Sequence, residues 1–385
     1  MQIQVVPDTL TRLAQLGDVT AFEPAGDHPA QEAPARRYQS HSLAECITNV
    51  TTPGGRKPIL KAMLTTACER NCFYCPFRAG RSKTARVTFT PDEMARGFLT
   101  LQQAGQADGV FLTSGIIRGS TTTQDRLIAT AELIRRAGYQ GYLHLKIMPG
   151  IEYDQLHRAM QLATRVSVNL EAPTQERLNA LAPKKDWGRE LLQMLEWTAA
   201  IRRAHPDERL AGTVTQFVVG AAGDTDRELL GLSARLYHDL RLTRTYFSAF
   251  RPIAQTPLEN LPATDPLREQ RLYQAGFLLR DYGWGVDDLP FRDDGNLRTD
   301  VDPKRAWGDA HLRHAPLEIM TAARADLLRV PGLGAGAADA ILRARREARL
   351  TDLAQLRRLG IRTADQAAPY ILLDGRRPPT QLHLF

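Results

Sequence analysis

The chain alternates short apolar runs with longer stretches in which apolar residues recur every three or four positions. The apolar runs are Ile59–Leu64, Gly109–Leu112, Gly141–Ile147, Arg165–Leu170, Gly212–Val219 and Thr245–Phe250. Amphipathic helical patterns lie between them, as in Pro91–Gln103, Thr123–Arg136 and Arg189–Arg203, and Thr90 is the expected N-cap of the first. Strands that alternate with helices predict βαβ units on a parallel sheet. We therefore expect an α/β fold in which six units form a partial (β/α)6 TIM-type barrel over residues 56–286.

The pattern changes on both sides of this predicted barrel. Residues 1–55 are punctuated by prolines and predict an irregular N-terminal arm. Residues 287–311 are rich in Asp, Arg, Gly and Pro, which indicates a linker or covering loop. Residues 312–375 show helical patterns only and predict a small all-α domain, and residues 376–385 form a tail.

Three of the four cysteines lie close together, as Cys68, Cys72 and Cys75 in a C-x3-C-x2-C spacing. Four-iron clusters are normally held by four cysteinates. The remaining Cys46 has no spacing relation to the trio, and we interpret it as a buried thiol. One iron would then lack a protein ligand, and an open metal position is typical of a catalytic site. A zinc knuckle or three ordinary buried thiols are the alternatives, although zinc prefers four ligands and paired cysteines.

At these residues the chain resembles the radical S-adenosylmethionine (radical SAM) enzymes, whose signature is this spacing with an aromatic residue, here Tyr74, before the third cysteine. The resemblance implies a 4Fe-4S cluster on Cys68, Cys72 and Cys75, S-adenosylmethionine bound at the open iron, and an external electron donor. It also implies a 5′-deoxyadenosyl radical that abstracts hydrogen from a substrate. The cofactor supplies this chemistry, while the protein binds and orients the reactants.

The resemblance further implies that polar strand ends bind S-adenosylmethionine. In barrels of this type the active site lies at the carboxyl ends of the strands. The second predicted strand ends in Thr113-Ser114-Gly115, where the family usually has a Gly-Gly-Glu-like segment, so this chain lacks the second Gly and the Glu. The expected cofactor-binding residues are Tyr74, Thr113, Ser114, Gly115, Asn169, Glu171, Gln216 and Val218.

His144 and Lys146 alternate along the third predicted strand. Their side chains either face the barrel interior and touch substrate, or lie on a wet face or satisfy a core hydrogen bond. The residues leave both interpretations open.

The C-terminal helical region is basic. Residues 311–385 contain twelve Arg and no Lys against seven Asp plus Glu, which gives 12 − 7 = +5 of the chain's net charge of +7. A helix ends at Leu327–Val330, Pro331-Gly332-Leu333-Gly334 makes a tight connection, and Gly336–Ala348 forms the next helix. A weaker unit follows over Thr351–Leu359 and Thr363–Leu373. The alternatives for the basic charge and for the turn are solvated arginine-rich helix faces and an ordinary αα-hairpin.

This region resembles a helix-hairpin-helix domain. Glycines in such a turn let backbone N–H groups approach a phosphate, and the positive end of the second helix adds attraction. The expected nucleic-acid contacts are Gly332, Gly334, Arg343, Arg345 and Arg346. We expect DNA rather than RNA, because phosphate-reading hairpins suit a duplex.

The last five residues are Gln381-Leu382-His383-Leu384-Phe385. They resemble the peptide by which bacterial repair proteins bind the replication sliding clamp, through Gln381, Leu382, Leu384 and Phe385. The alternative is that the tail folds back on its own helices. As a whole, the chain resembles a bacterial family of DNA modification or repair radical SAM proteins, which makes a uracil-DNA-glycosylase-like protein an expected partner.

Composition is that of a globular protein, with 43% hydrophobic and 24% charged residues. The chain begins without the pattern of a signal peptide, and no apolar run approaches a membrane span. Three cysteines on one loop favour a metal site over disulfides, and we expect a reducing cytoplasm without a membrane partner.

The sequence thus predicts a radical SAM enzyme that repairs or modifies a base or sugar of DNA. The alternatives are an RNA-modifying radical SAM enzyme and a non-catalytic, cluster-containing adaptor that bridges DNA and a repair partner.

Overall fold

A computed structural model describes residues 8–16, 43–52, 55–81 and 84–379. By its internal contacts the chain divides into two units, one of Met1–Asp224 with Arg235–Glu269 and the other of Thr225–Ala234 with Gln270–Phe385. This division differs from the boundaries expected from the sequence, because residues 270–311 group with the C-terminal unit.

The first unit is built on one seven-stranded sheet whose spatial order follows the chain. Its strands are β1 (Ile47–Thr52), β2 (Gly55–Met63), β3 (Gly109–Thr113), β4 (Tyr142–Lys146), β5 (Arg165–Ser167), β6 (Gly212–Val219) and β7 (Arg244–Ala249). β1 pairs antiparallel with β2, and every later pair is parallel. All six apolar runs therefore form strands, which confirms the α/β expectation and its partial barrel of six parallel strands.

Helices separate the parallel strands, as the amphipathic patterns predict. They are α2 (Pro91–Gln103), α3 (Ser120–Arg136), α4 (Tyr153–Leu162), α5 (Gln175–Leu181), α6 (Gln193–Ala204) and α7 (Asp226–Asp239), whereas α1 (Thr9–Ala14) precedes β1 and α8 (Pro266–Asp281) follows β7. A π-helical turn, Trp187–Leu192, leads into α6. The expected N-cap of α2 is confirmed, because the Thr90 hydroxyl accepts from the Glu93 amide and the Glu93 carboxylate accepts from the Thr90 amide.

The expectation of an irregular arm over residues 1–55 is wrong for the described residues 9–14 and 47–52, which form α1 and β1. The segment Ile47-Thr48-Asn49-Val50-Thr51-Thr52 is rich in β-branched residues, which favour a strand. β1 covers the edge of β2, with Ile47 opposite Leu60, so the first parallel strand is not left as an open edge.

The C-terminal unit contains α9 (Pro303–His311), α10 (Arg324–Leu327), α11 (Ala335–Ala344), α12 (Leu353–Arg358) and α13 (Ala364–Ala367). Part of the predicted linker 287–311 is therefore helical. Asp302 caps α9 by accepting from the Arg305 amide, and Pro303 occupies its first turn.

This unit has its own apolar core, in which Ile319, Leu327, Val330, Ile341 and Leu356 are completely buried. It is not all helical as expected, because β8 (Leu317–Glu318) and β9 (Ile371–Leu372) form a small parallel pair. The predicted helix Thr363–Leu373 ends early, because Pro369 lacks an amide donor and disfavours helix before it. Within the part of the chain that the structure describes, no helix is long and apolar enough to cross a bilayer.

Candidate active site

The cysteine loop follows β2, at the edge of the sheet where all parallel strands end. Cys68, Cys72 and Cys75 form no disulfide and are partly exposed. Cys46 is completely buried, and its thiol donates to the carbonyl of Leu13 at 3.2 Å, which confirms the expected buried thiol. Three accessible thiols on one loop fit a cluster with three protein ligands, and the fourth cysteine is engaged elsewhere in the unit.

The loop is fixed on one side to the segment that follows β3. The Glu69 amide donates to the Ile116 carbonyl at 2.8 Å, and the Glu69 carboxylate accepts from the amides of Arg118 and Gly119, both at 3.1 Å. These amides lie just before α3, whose first residues have no side-chain cap, so Glu69 supplies an acceptor there. The Ile116 amide also approaches Sγ of Cys68 at 3.4 Å. Hydrogen bonds to sulfur are one means by which a protein tunes a cluster.

Gly115 lies where two backbones approach closely. Its amide donates to the Thr65 carbonyl at 2.7 Å, and a Cβ at this position would lie 2.1 Å from the carbonyl oxygen of Ala67. No larger residue fits without moving the loop that carries Cys68. The structure thus gives Gly115 a positioning role next to the first cysteine.

On the other side the loop is attached to residues 181–190. The Phe73 amide donates to the Leu181 carbonyl at 2.7 Å. The guanidinium of Arg70 donates to the Lys184 carbonyl at 2.9 Å and forms an ion pair with Glu190 at 3.0 Å. The loop is therefore held between two segments that follow β3 and β5.

Arg86 holds the distal part of the loop. Its guanidinium donates to four main-chain carbonyls, those of Thr66, Phe77, Arg78 and Arg81. The Thr66 carbonyl lies two residues before Cys68, and the Phe77 carbonyl lies two residues after Cys75. A single side chain thus satisfies backbone acceptors on both flanks of the cysteine motif.

The residue expected to contact the cofactor after β5, Glu171, forms an ion pair with Lys185. Its carboxylate lies 3.2 Å from Nζ of Lys185, and the two side chains are 6% and 9% exposed. Glu171 has a φ of +64°, a left-handed conformation that is uncommon for a residue other than glycine. The ion pair with Lys185 therefore holds the Glu171 carboxylate in place, although the backbone of Glu171 has an unfavourable conformation.

Charges around this pair act on the cysteine loop. Burial raises the pKa of the Cys72 thiol, and the positive charge of Lys185 opposes that rise. Burial lowers the pKa of Lys185, but the negative charges of Cys72 and Glu171 outweigh it, so its pKa lies above the ordinary value. Burial, and then the charge of Glu171, raise the pKa of Tyr74 well above its ordinary value, so the phenol stays protonated. Lys185 thus supplies the cation beside the thiolates.

The other expected cofactor residues lie at the same edge of the sheet. Thr113 ends β3 and is buried, and the Ser114 hydroxyl donates to the Gly115 carbonyl at 2.7 Å. Val218 is buried on β6. Asn169 and Gln216 line a cavity in the barrel, together with His144 and Lys146. Both His144 and Lys146 therefore line the barrel interior and do not lie on a wet outer face.

Sequence reasoning missed Glu69, Arg86 and Lys185. Nothing distinguishes Arg86 among the many arginines of the chain. Lys185 lies in Pro183-Lys184-Lys185-Asp186, which has the composition of a solvated loop. Only the fold brings it to the cysteines.

Comparison with protein families matches residues 63–235 to the radical SAM superfamily. Residues 63–235 belong to that superfamily. The match includes Cys68, Cys72 and Cys75 and the strands β3–β6, and the curled seven-stranded sheet is typical of its partial barrel. The chain therefore contains a radical SAM enzyme domain, which uses a 4Fe-4S cluster and S-adenosylmethionine. This assignment excludes the zinc knuckle and the three ordinary buried thiols considered above.

Two solved structures are similar to part of this chain. One is the FeFe-hydrogenase maturase HydG from Carboxydothermus hydrogenoformans, with 14% identity, a TM-score of 0.48, and coverage of 58% of this chain and 51% of that chain. The other is methylornithine synthase (PylB), with 18% identity, a TM-score of 0.45, and coverage of 58% and 61%. The chain thus spans about half to three fifths of the length of these proteins. A comparison with curated proteins found no match.

The radical SAM residues of this chain have separable tasks. When bound, the cluster and S-adenosylmethionine supply a carbon radical that abstracts hydrogen. Cys68, Cys72 and Cys75 would hold the cluster. Lys185 balances the thiolate charge, and Glu69 and Arg86 fix the backbone that carries the cysteines.

Proposed function

We propose that this protein is a radical SAM enzyme that repairs or modifies a base or sugar of DNA. The observation that supports the proposal is the presence of two features in one chain. These are a cysteine site on the barrel and a basic C-terminal unit with two glycine turns between short helices. A base inside a duplex would have to be flipped out or presented on a single strand to reach such a site.

The two glycine turns of the C-terminal unit are alike in backbone conformation and in the residue that follows the glycine. Gly332, between α10 and α11, has a φ of +82°, and Gly360, between α12 and α13, has a φ of +83°. Each is followed by a buried apolar residue, Leu333 or Ile361. This recurrence supports the interpretation as paired helical hairpins.

The first turn is held from within the unit. A Cβ at position 332 would lie 2.9 Å from the carbonyl oxygen of Thr363, and the Thr363 hydroxyl donates to the Gly332 carbonyl. Lys304 donates from Nζ to the Leu333 carbonyl. Gly332 is therefore required by packing, which differs from the phosphate approach expected from the sequence. A Cβ at Gly334 would make a tight contact with the Tyr282 hydroxyl, at 3.3 Å.

Two exposed arginines lie at the C-terminal end of α11, Arg343 in its last turn and Arg346 just after it. Gly334 is the N-cap of this ten-residue helix and has no side chain to cap it, while the Tyr282 hydroxyl bonds to the backbone of Ala335 in its first turn. The first amides of a helix attract phosphate. Arg345 has a structural task instead, because its guanidinium donates to the carbonyls of Ile319 at 3.0 Å and Ala322 at 2.7 Å.

The C-terminal tail supports a further part of the proposal. Residues 380–385 lie outside the described residues, so the sliding-clamp interpretation of Gln381, Leu382, Leu384 and Phe385 rests on sequence alone. We propose the clamp as a partner, together with a uracil-DNA-glycosylase-like protein and an external electron donor.

The test is product formation by the full chain, purified anaerobically and supplied with S-adenosylmethionine and a reductant. We expect release of 5′-deoxyadenosine to increase with DNA, and mass spectrometry of the digested DNA to show an altered nucleoside. Cys72→Ala is the control that removes the cluster. If RNA stimulates the release of 5′-deoxyadenosine and DNA does not, the substrate is RNA. If neither nucleic acid leads to release, both the DNA and the RNA hypotheses are refuted.

A further inference from the structure

Two histidines and one glutamate converge at a place that the cysteine site does not use. They are His157, His205 and Glu208, and their ligand atoms all lie within 4.8 Å of one another. His157 lies on α4, whereas His205 caps the carboxyl end of α6 and Glu208 follows it closely in the chain. The fold thus brings together side chains from two segments that are distant in the sequence.

The cluster lies at the end of the sheet opposite to the cysteine loop. α4 precedes β5, and Glu208 precedes β6, so both segments lead into the amino ends of these parallel strands. The cysteine loop instead follows β2, at the carboxyl ends of the strands. In barrels of this type the carboxyl ends carry the active site, and the amino ends contribute to stability. A task in stability, separate from the radical chemistry, is therefore expected of this cluster.

A proline turn places His205 and Glu208 on the same side of the backbone. The turn is closed by the Glu208 amide, which donates to the His205 carbonyl at 3.3 Å, and Pro206 occupies the position that proline favours in such turns. The chain after the turn is attached to α4, because the Ala211 amide donates to the Met160 carbonyl at 2.9 Å. Backbone hydrogen bonds therefore hold the turn against the helix that carries the other histidine.

The carboxylate of Glu208 faces both imidazoles. Its Oε2 lies 3.1 Å from Nε2 of His157, and its Oε1 lies 3.0 Å from Nδ1 of His205. The two imidazole rings are 4.2 Å apart between their centres. In a tetrahedral zinc site, bonds of about 2.0–2.2 Å place the ligand atoms about 3.3 Å from one another. Small side-chain movements would therefore let the three groups enclose such an ion.

The surroundings of the cluster favour a cation. Gln161 lies one turn after His157 on α4, and its amide donates to the Glu208 carboxylate at 2.9 Å. Hydrogen bonds of this kind orient the ligands of metal ions. His205 lies at the carboxyl end of α6, where the helix dipole attracts positive charge. The side chains of His157, Glu208 and His205 are 19%, 36% and 37% exposed, so an ion can enter from solvent.

We propose that His157, His205 and Glu208 bind one zinc ion, which ties α4 to the turn after α6. Imidazole nitrogens suit zinc, and two histidines with one glutamate form one of its usual ligand sets in proteins. Three protein ligands leave a fourth position, which water would occupy. Two adjacent imidazoles repel each other when both are protonated, whereas both can be neutral ligands of a single ion. The inference does not depend on the proposed DNA substrate.

The experiment is calorimetric titration of the full chain with Zn²⁺. The protein carries no polyhistidine tag and is kept anaerobic with its 4Fe-4S cluster loaded, so that the cysteines are already occupied. We expect one zinc ion to bind per chain and Mg²⁺, which prefers oxygen ligands, not to bind. His205→Gln and Glu208→Gln should each weaken zinc binding by at least tenfold, because a ligand is lost or weakened. Gln161→Ala should weaken it by roughly tenfold, because the carboxylate loses the group that orients it.

His238→Gln is the matched control. His238 also faces a carboxylate, that of Asp239 at 2.7 Å, but among the described residues it belongs to no group of three metal ligands. It should leave zinc binding unchanged, and an unchanged iron content in every variant shows that the barrel is intact. Zinc should also raise the melting temperature of the wild type but not that of His205→Gln, since an ion that binds only the folded chain stabilises it.

Two results would overturn the inference. One is that the cluster-loaded wild type binds no zinc. The other is that His205→Gln and Glu208→Gln bind zinc as tightly as the wild type and as the His238→Gln control, which would place the ion elsewhere on the chain.

Discussion

The Glu171 carboxylate lies 3.2 Å from Nζ of Lys185, and the two buried side chains act electrostatically on Cys72. Glu171 follows β5 in a left-handed backbone conformation, whereas Lys185 lies 14 residues further on. The pair thus connects the strand end to a segment that also binds the cysteine loop. A cation beside several thiolates lowers the cost of gathering their charge in one place.

Replacement of Lys185 by Met should leave Glu171 as a buried charge next to thiolates. We expect a loss of roughly 3 kcal/mol in the free energy of unfolding, measured by urea denaturation, and a lower iron content after reconstitution. The double variant Lys185→Met with Glu171→Gln removes both charges and should recover part of the stability. Equal losses in the single and double variants would mean that the two charges do not interact.

Cys68→Ala, Cys72→Ala and Cys75→Ala should each lose the cluster, because the loop would supply two thiolates instead of three. Iron analysis and the absorption of the reconstituted protein measure the loss. Cys46→Ala is the matched control and should retain the cluster, since its thiol donates to the Leu13 carbonyl. Loss of iron in Cys46→Ala, with its fold intact by circular dichroism, would contradict a three-cysteine site.

Replacement of Arg86 by Met should free four carbonyls on the two flanks of the cysteine motif. We expect faster hydrogen exchange in peptides that cover residues 66–81, and slower incorporation of iron, because the loop loses its fixed backbone. Arg96→Met is the control, as Arg96 is exposed on α2. Unchanged exchange in Arg86→Met would show that the other anchors, at Glu69 and Arg70, suffice.

Alternation and periodicity located every parallel strand, because each strand is a short apolar run between amphipathic helices. The spacing of the cysteines located the cluster site. Sequence reasoning missed β1 because its residues are largely polar and resemble a loop when the pairing with β2 is not known. Lys185, Arg86 and Glu69 were missed because their tasks arise from contacts between segments that are distant in the chain, such as Arg70 with Glu190.

DNA binding by the C-terminal unit should depend on exposed arginines near α11. Arg343→Glu combined with Arg346→Glu should weaken binding of duplex DNA by tenfold or more at low salt, because phosphate contacts become repulsive. Fluorescence anisotropy with labelled DNA at several salt concentrations measures this, and the variant should show a shallower salt dependence. The control with exposed residues on the barrel unit, Arg203→Glu with Arg209→Glu, makes the same change in net charge. Equal losses of DNA affinity in the two double variants would show that binding depends on the overall charge of the protein and not on the arginines near α11.

The tail offers a test that is independent of the barrel. If Gln381, Leu382, Leu384 and Phe385 bind the sliding clamp, a synthetic peptide of residues 376–385 should bind the clamp of the same species by itself. We expect an affinity of roughly micromolar, because a short flexible peptide loses conformational freedom on binding. Leu384→Ala with Phe385→Ala should abolish binding by removing the apolar anchors that would fill a groove on the clamp. The same double substitution in the full chain should spare iron content and DNA affinity, so that a loss of clamp binding can be assigned to the tail. Absence of binding by both the wild-type peptide and the full chain would refute the clamp as a partner, and the DNA proposal would then depend on the C-terminal unit alone.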